Sequence, residues 1–270
     1  MSLKRYEYRL KTLSKLAMSP RDHQGFYLAA GDFKRENILK RMSPDGETDK
    51  NAEENKVNII YPFYQYGGYS AYNPDSTQYY IPGSSLKGAM LSHCTGQFAS
   101  RLLVDDIQVK SKDLQLTQLN KLQNLSKETN ESIILQPFFP NVAVEMLAAG
   151  CEYIGELFCE EEIHIYLQAA RRGTILKLSQ LRDKLSVVSK EIRIDDETRR
   201  YVNQLKNNIQ SIIDDSREAC TLLLGGYKGL ALSGVFKNAE FDKLDTAVYV
   251  DLPSYLPHGI VQIEVCREVD

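Results

Sequence analysis

The chain has 270 residues, a formal net charge of −3 and a composition that is 43% hydrophobic and 26% charged. That length leaves room for one large domain or two ordinary ones with a substantial core, and the balance excludes low-complexity, collagen-like and uniformly basic proteins. Five scattered cysteines (Cys94, Cys151, Cys159, Cys220 and Cys266) make no CxxC pair and no zinc-spaced Cys/His cluster, so reduced thiols, no metal and no cofactor are expected. With no signal peptide and no apolar run of membrane-spanning length, the expectation is a cytoplasmic protein without a membrane partner.

Charge is uneven along the chain. Residues 1–42 hold Lys4, Arg5, Arg9, Lys11, Lys15, Arg21, Lys34, Arg35, Lys40 and Arg41 against Glu7, Asp22, Asp32 and Glu36. Such an end reads either as a solvated face or as a surface that tracks phosphates. Within it Tyr6, Tyr8 and Leu10 alternate with Arg5, Glu7 and Arg9, the pattern of a half-buried strand. Ser19-Pro20-Arg21-Asp22 breaks the pattern, Phe26–Ala29 suggests a second short strand, Arg35–Met42 a short helix, and the acidic stretch 43–56 a loop.

Val57–Tyr61 and Gln78–Ile81 read as strands around a loop, Phe63 to Tyr69, rich in tyrosine and glycine. Its tyrosines either stack on bases or pack the loop onto its own domain. Tyr80-Ile81-Pro82-Gly83-Ser84-Ser85-Leu86-Lys87-Gly88-Ala89-Met90 then turns a strand into a helix. Ser84 or Ser85 is the expected N-cap, and Leu86, Met90, Cys94, Phe98 and Leu102 carry the apolar stripe to about Leu103. Lys87 opposes the helix dipole unless an anion sits there or the side chain reaches solvent. The stretch is not a P-loop, because no Gly-Lys-Ser/Thr occurs in it.

Leu102–Val109 reads as one strand, and Leu114, Leu116, Leu119, Leu122 and Leu125 as a short amphipathic helix. Val142–Leu147 and Tyr153–Phe158 flank Ala149-Gly150 as a hairpin. From Thr174 to Cys220 two helices are expected, the second capped by Asp195 or Asp196. Next comes Gly225-Gly226-Tyr227-Lys228-Gly229, either a phosphate-contacting loop or a helix C-cap followed by a tight turn. Thr246–Val250 and Gly259–Val265 close the chain as strands.

The octapeptide Ile81–Gly88, IPGSSLKG, resembles a signature of the CRISPR-associated RAMP proteins, RNA-binding subunits of type III effector complexes. Glu145, Gly150 and Gly155 are similar to that family's paired-strand pattern, the loop at Gly225–Gly229 to its glycine-rich loop, and Leu256-Pro257-His258-Gly259 to its ending. The resemblance implies an α+β, RRM-like fold of ferredoxin-type βαββαβ units, one within 1–140 and one within 141–270 with a helical segment. It is most similar to the subunit that caps the 3′ end of the guide RNA in type III-A (Csm) complexes. It implies a non-catalytic role in antiviral defence, with CRISPR RNA and other RAMP subunits as partners. Ser84, Ser85, Lys87, Gly88, Gly225, Gly226, Tyr227, Lys228 and Gly229 are the implied RNA contacts.

Two other roles stay open at this level, a RAMP endoribonuclease and a repeated backbone subunit. His23, Asp22 and Asp32 are the residues that catalysis would draw on, by general acid/base or aspartate chemistry. The loop around them departs from the family's histidine motif, reading Ser19-Pro20-Arg21-Asp22-His23-Gln24-Gly25.

Overall fold

Alternating side chains at the start of the chain become the centre of the main sheet. The computed structural model describes residues 3–18, 25–38, 41–42, 57–67, 70–94, 101–126, 130–160, 162–216, 219–234 and 247–269. In chain order these form β1 (Lys4–Thr12), β2 (Leu16–Ala17), β3 (Phe26–Tyr27), α1 (Arg35–Ile38), β4 (Ile59–Tyr61), β5 (Tyr79–Ile81) and α2 (Gly83–Leu91). Then come β6 (Leu102–Val104), β7 (Ile107–Val109), β8 (Leu114–Thr117), β9 (Leu119–Gln123), β10 (Ile134–Phe138), β11 (Val142–Leu147) and β12 (Glu152–Cys159). The last third holds α3 (Ile163–Val188), α4 (Asp196–Asp215), β13 (Cys220–Leu223), β14 (Val248–Asp251), β15 (Leu256–Pro257) and β16 (Ile260–Val269). The class is mixed α+β.

The main sheet runs β13–β16–β1–β12–β6 with every neighbouring pair antiparallel, drawing strands from both sides of residue 140. Tyr6, Tyr8 and Leu10 of β1 bury one face against Leu86 and Met90 of α2 and Tyr166 and Ala170 of α3. On the opposite face the basic residues of β1 meet carboxylates across the strands. Arg5 pairs with Glu156, Arg9 with Glu264, Lys11 with Glu152, and Arg267 with Glu7. These are cross-strand pairs on a solvated face, so this part of the basic start is charge-matched rather than a free cationic surface.

A second body of sheet surrounds β11, whose six residues are all buried. It pairs with β4 in parallel and with β2 and β8 antiparallel, while β9 joins β10 and β14 in a further sheet. The start of α3 packs in the main core, and its later turns (Leu178, Leu181, Leu185) meet Val202, Leu205 and Ile209 of α4 together with Leu122 and Val248.

Four sequence expectations need correction. Leu114–Leu125 holds two strands, β8 and β9, because Leu114 and Leu116 alternate into the core where β8 pairs with buried β11, and β9 pairs with β10 and β14. The helix expected to reach Leu103 ends at Leu91, and Leu102–Val104 is already strand. Leu102–Val109 is broken into β6 and β7, and the Asp105-Asp106 break serves the start of α2 (below). Val142–Phe158 is not a hairpin. At Gly150 (φ 82°) the chain leaves one sheet for another, held by Gly150 N–H donating to Thr12 O at 2.7 Å and by the Thr12 hydroxyl donating to Ala148 O at 2.7 Å.

The α4 cap falls where the sequence places it. The Asp195 carboxylate accepts from the N–H groups of Glu197 and Thr198, both at 2.9 Å, and these bonds with the Thr198 hydroxyl hold its pKa below the usual carboxylate range. Asp195→Ala is expected to lower Tm by roughly 2–4 °C at neutral pH. A depressed folded-state pKa gives stability that is present above the unfolded-state pKa and lost as pH falls through the folded-state value. The difference between wild type and variant in thermal melts should therefore vanish in strong acid.

Candidate nucleic-acid interface

The start of α2 is fixed by contacts that local sequence does not display. Pro82 is the N-cap residue, and no side-chain hydrogen bond caps the helix from its own first residues. Instead the Asp106 carboxylate, between β6 and β7, accepts from Gly83 N–H at 2.8 Å. Gly83 sits so close to β6 that a Cβ there would lie 2.0 Å from Val104 O, and only glycine lets the helix start against that strand. Ser84 and Ser85 are thereby relieved of the expected capping role and stand in the first turn, Ser84 exposed and Ser85 half-buried.

The glycine-rich loop follows a strand, not a helix, so the C-cap reading of Gly225 is also corrected. Its anchor is β2, since Gly226 N–H donates to Ala17 O at 2.8 Å. Gly225 has φ 74°, and a Cβ there would fall 2.2 Å from the same carbonyl oxygen. Both requirements select glycine.

Between these two elements lies a cavity of about 700 Å³. Ser84, Ser85 and Gly88 line it from α2, and Gly225, Gly226 and Lys228 from the loop. Two segments that are about 140 residues apart thus share one concavity. The other implied contacts stand outside its lining. Lys87 is half-buried on α2 and makes no hydrogen bond or ion pair among the described residues. Tyr227 has φ 47° and turns its ring edge-on to Tyr249, with centroids 6.3 Å apart. Gly229 precedes a short 3-10 turn, Leu230–Leu232.

Sequence reasoning overlooked the far wall. Thr174 and Lys177 of α3 line the cavity, and Lys177 is only 2% exposed. A signal existed, because Lys177 shares the stripe of Thr174, Leu178, Leu181 and Leu185, where an apolar residue is the norm. Lys228 is also buried, 6% exposed, and its ammonium donates to Leu224 O at 3.1 Å and to Gly225 O. Lys177 donates to Ser233 O. Burial lowers the pKa of both, and burial together with the neighbouring charge of Lys177 pushes Lys228 down to about 7. Among the described residues no carboxylate lines the cavity.

The described part of the tyrosine-rich loop, residues 63–67, packs on β5, and Gly68 and Tyr69 lie outside the described residues. Phe63 and Tyr64 make edge contacts to Tyr79 and Tyr80, and Tyr66 stacks on Tyr80 at 4.0 Å. Beneath it the buried carboxylate of Glu145 accepts from Phe63 N–H, Tyr72 O–H and Tyr79 O–H at 2.9–3.0 Å. Among the described residues of this group, Tyr64 alone lines the cavity. Of the residues considered for catalysis, Asp22 and His23 lie outside the described residues. Asp32 braces a turn by accepting from Tyr27 N–H at 2.8 Å, and it does not line the cavity.

Among the described residues no group of three or more His, Cys, Asp or Glu is placed to hold a metal ion, and no helix is long and apolar enough to cross a membrane. Compared with known proteins, the chain matches no protein-family model and no curated protein sequence.

Proposed function

We propose that this protein is a RAMP subunit of a type III-A CRISPR effector complex that binds guide RNA without cutting it and caps the 3′ end of the filament. The observation that carries the reading is the shared cavity. The two segments singled out by the family resemblance, IPGSSLKG and the glycine-rich loop, line one concavity that has no carboxylate among its described lining residues. Serine hydroxyls and lysines are phosphate-binding chemistry, which positions a strand while reading little of its sequence. The RRM-like reading draws support from strand order: β16–β1–β12–β6 is antiparallel throughout, with α2 between β1 and β6 and α3 between β12 and β16 in the chain. The open face of that sheet carries ion pairs, which favours the helix-side cavity as the RNA path.

The test is binding of labelled single-stranded RNA over a salt series without divalent metal. Affinity is expected to fall with salt at a logarithmic slope of about −2, as for roughly three phosphate contacts. Ser85→Glu, a half-exposed change that sets an anion at the cavity wall, should weaken binding at least tenfold with Tm unchanged. Cleaved RNA would replace the reading with an endoribonuclease, and self-assembly along the RNA with a repeated backbone subunit.

A further inference from the structure

We infer that Lys177 and Lys228 together form a seat for one phosphate group, with Lys177 of α3 as an RNA ligand that no sequence motif marks. The inference rests on the RNA-binding reading for the source of that phosphate and adds a residue and a charge state to it. The argument is one of unspent donors. An ammonium group has three N–H bonds. Lys177 gives one to Ser233 O, and Lys228 gives two to Leu224 O and Gly225 O. Three donors are left on two buried cations that share a cavity of about 700 Å³, ample for a nucleotide. Neither lysine has a carboxylate partner among the described residues. Buried ammonium groups without counter-charge are costly, and the cost is relieved either by loss of a proton, the direction in which burial moves both lysines, or by an anion entering the cavity.

The stoichiometry of charge says which phosphate matches. An internal phosphodiester offers two free oxygens and one negative charge. A terminal phosphomonoester offers three oxygens and about −1.5 to −2 charge at neutral pH, enough for both lysines. Protonation is linked to occupancy. The titratable groups that share the cavity with Lys228 are Lys177 from α3, whose charge acts on it, His93 beyond α2 and Tyr64 of the tyrosine-rich loop, with no acid among the described lining residues. Since free Lys228 titrates near 7, a bound phosphate should favour its charged form, and affinity should fall between pH 6 and pH 8.

The experiment compares wild type with Lys177→Met and Lys228→Met, each of which keeps the buried stem and removes the charge. Tm is measured with and without inorganic phosphate. Affinity is measured for one single-stranded RNA carrying hydroxyl ends, a 3′-phosphate or a 5′-phosphate. The expected result is at least tenfold weaker RNA binding by Lys177→Met, with Tm equal to or above wild type, because an uncompensated buried charge has gone. A gain from a terminal phosphate that Lys177→Met abolishes identifies the monoester. Equal binding of all three RNAs, still dependent on Lys177, identifies an internal diester in the same seat. Lowered Tm with unchanged RNA affinity would overturn the seat and make Lys177 a strut for the Ser233 carbonyl, leaving the RNA reading intact. A phosphate-dependent rise in Tm that Lys177→Met abolishes, with no RNA binding, would keep the seat and sink the RNA reading. Binding of neither would overturn both.

Discussion

Glu145→Ala is expected to be strongly destabilising: three donors each left unsatisfied at about 1–3 kcal/mol amount to at least about 3 kcal/mol, a large fraction of the 5–15 kcal/mol that holds a typical domain together. The carboxylate is 0% exposed, and three donors from different segments end on it: Phe63 N–H, Tyr72 O–H and Tyr79 O–H. Alanine would orphan all three and open a void beneath the tyrosine-rich loop. The expected reading is loss of the cooperative melt or a drop in Tm of more than 10 °C. Glu145→Gln should be milder, since it keeps an acceptor and has no charge to desolvate. Burial raises the pKa of Glu145, against the opposing hydrogen bonds and the positive charge of Arg41. A raised carboxyl pKa gives stability that is present below the unfolded-state value and lost as pH rises through the folded-state value. Wild type should therefore show a pH dependence in the mildly acidic range that Glu145→Gln lacks. An alanine variant as stable as wild type would mean that this carboxylate does not organise the loop.

The second large effect is expected at Gly225. A Cβ there meets the Ala17 carbonyl oxygen at 2.2 Å, and φ 74° already disfavours any L side chain. Gly225→Ala should cost about 3 kcal/mol or more, combining left-handed strain with a backbone clash that has no flexible atom to yield. That corresponds to a fall in Tm of roughly 6–12 °C. Because the displaced loop carries Lys228, the proposed RNA binding should weaken with it. Gly226 is the internal control, one residue along, with nothing within 4 Å of a Cβ and no left-handed φ. Gly226→Ala should fold and melt like wild type. Equal behaviour of the two variants in thermal melts would rule out the described anchoring of the loop on β2.

These contrasts indicate which parts of the molecule are written locally. The alternation of Tyr6, Tyr8 and Leu10 specified β1, and Asp195 specified the start of α4, because each is a short-range pattern with one economical solution. Leu114 and Leu116 keep a strand's spacing while Leu116, Leu119 and Leu122 keep a helix-like one, and strand pairing of β8 with β11 and of β9 with β10 decided between them. Ala149-Gly150 is a sound turn, but turn chemistry does not say whether the flanking strands pair with each other, and here they join different sheets. The α2 cap was hidden because its acceptor, Asp106, lies more than twenty residues beyond the amide it serves. The candidate interface was half legible. Its glycines and serines announced themselves, while Lys177 passed as one more charged residue on a long helix. Nor did the basic start reveal its partners, since Glu156 and Glu264 reach Arg5 and Arg9 only through strand pairing.

The central position of β1 also imposes an order in time. It is hydrogen-bonded on one side to residues 152–159 and on the other to residues 261–269. At ribosomal speeds of about 5–20 residues per second, its second neighbour emerges roughly 12–50 s after it. Through that interval a strand edge flanked by Tyr6, Tyr8 and Leu10 lacks its final partner, so the nascent chain is most exposed to mispairing before the main sheet can close. A chain that loses the segment from Ile260 onward would forfeit the pairing of β1 and β13 at one stroke, and the defect would sit in the middle of the molecule rather than at its periphery.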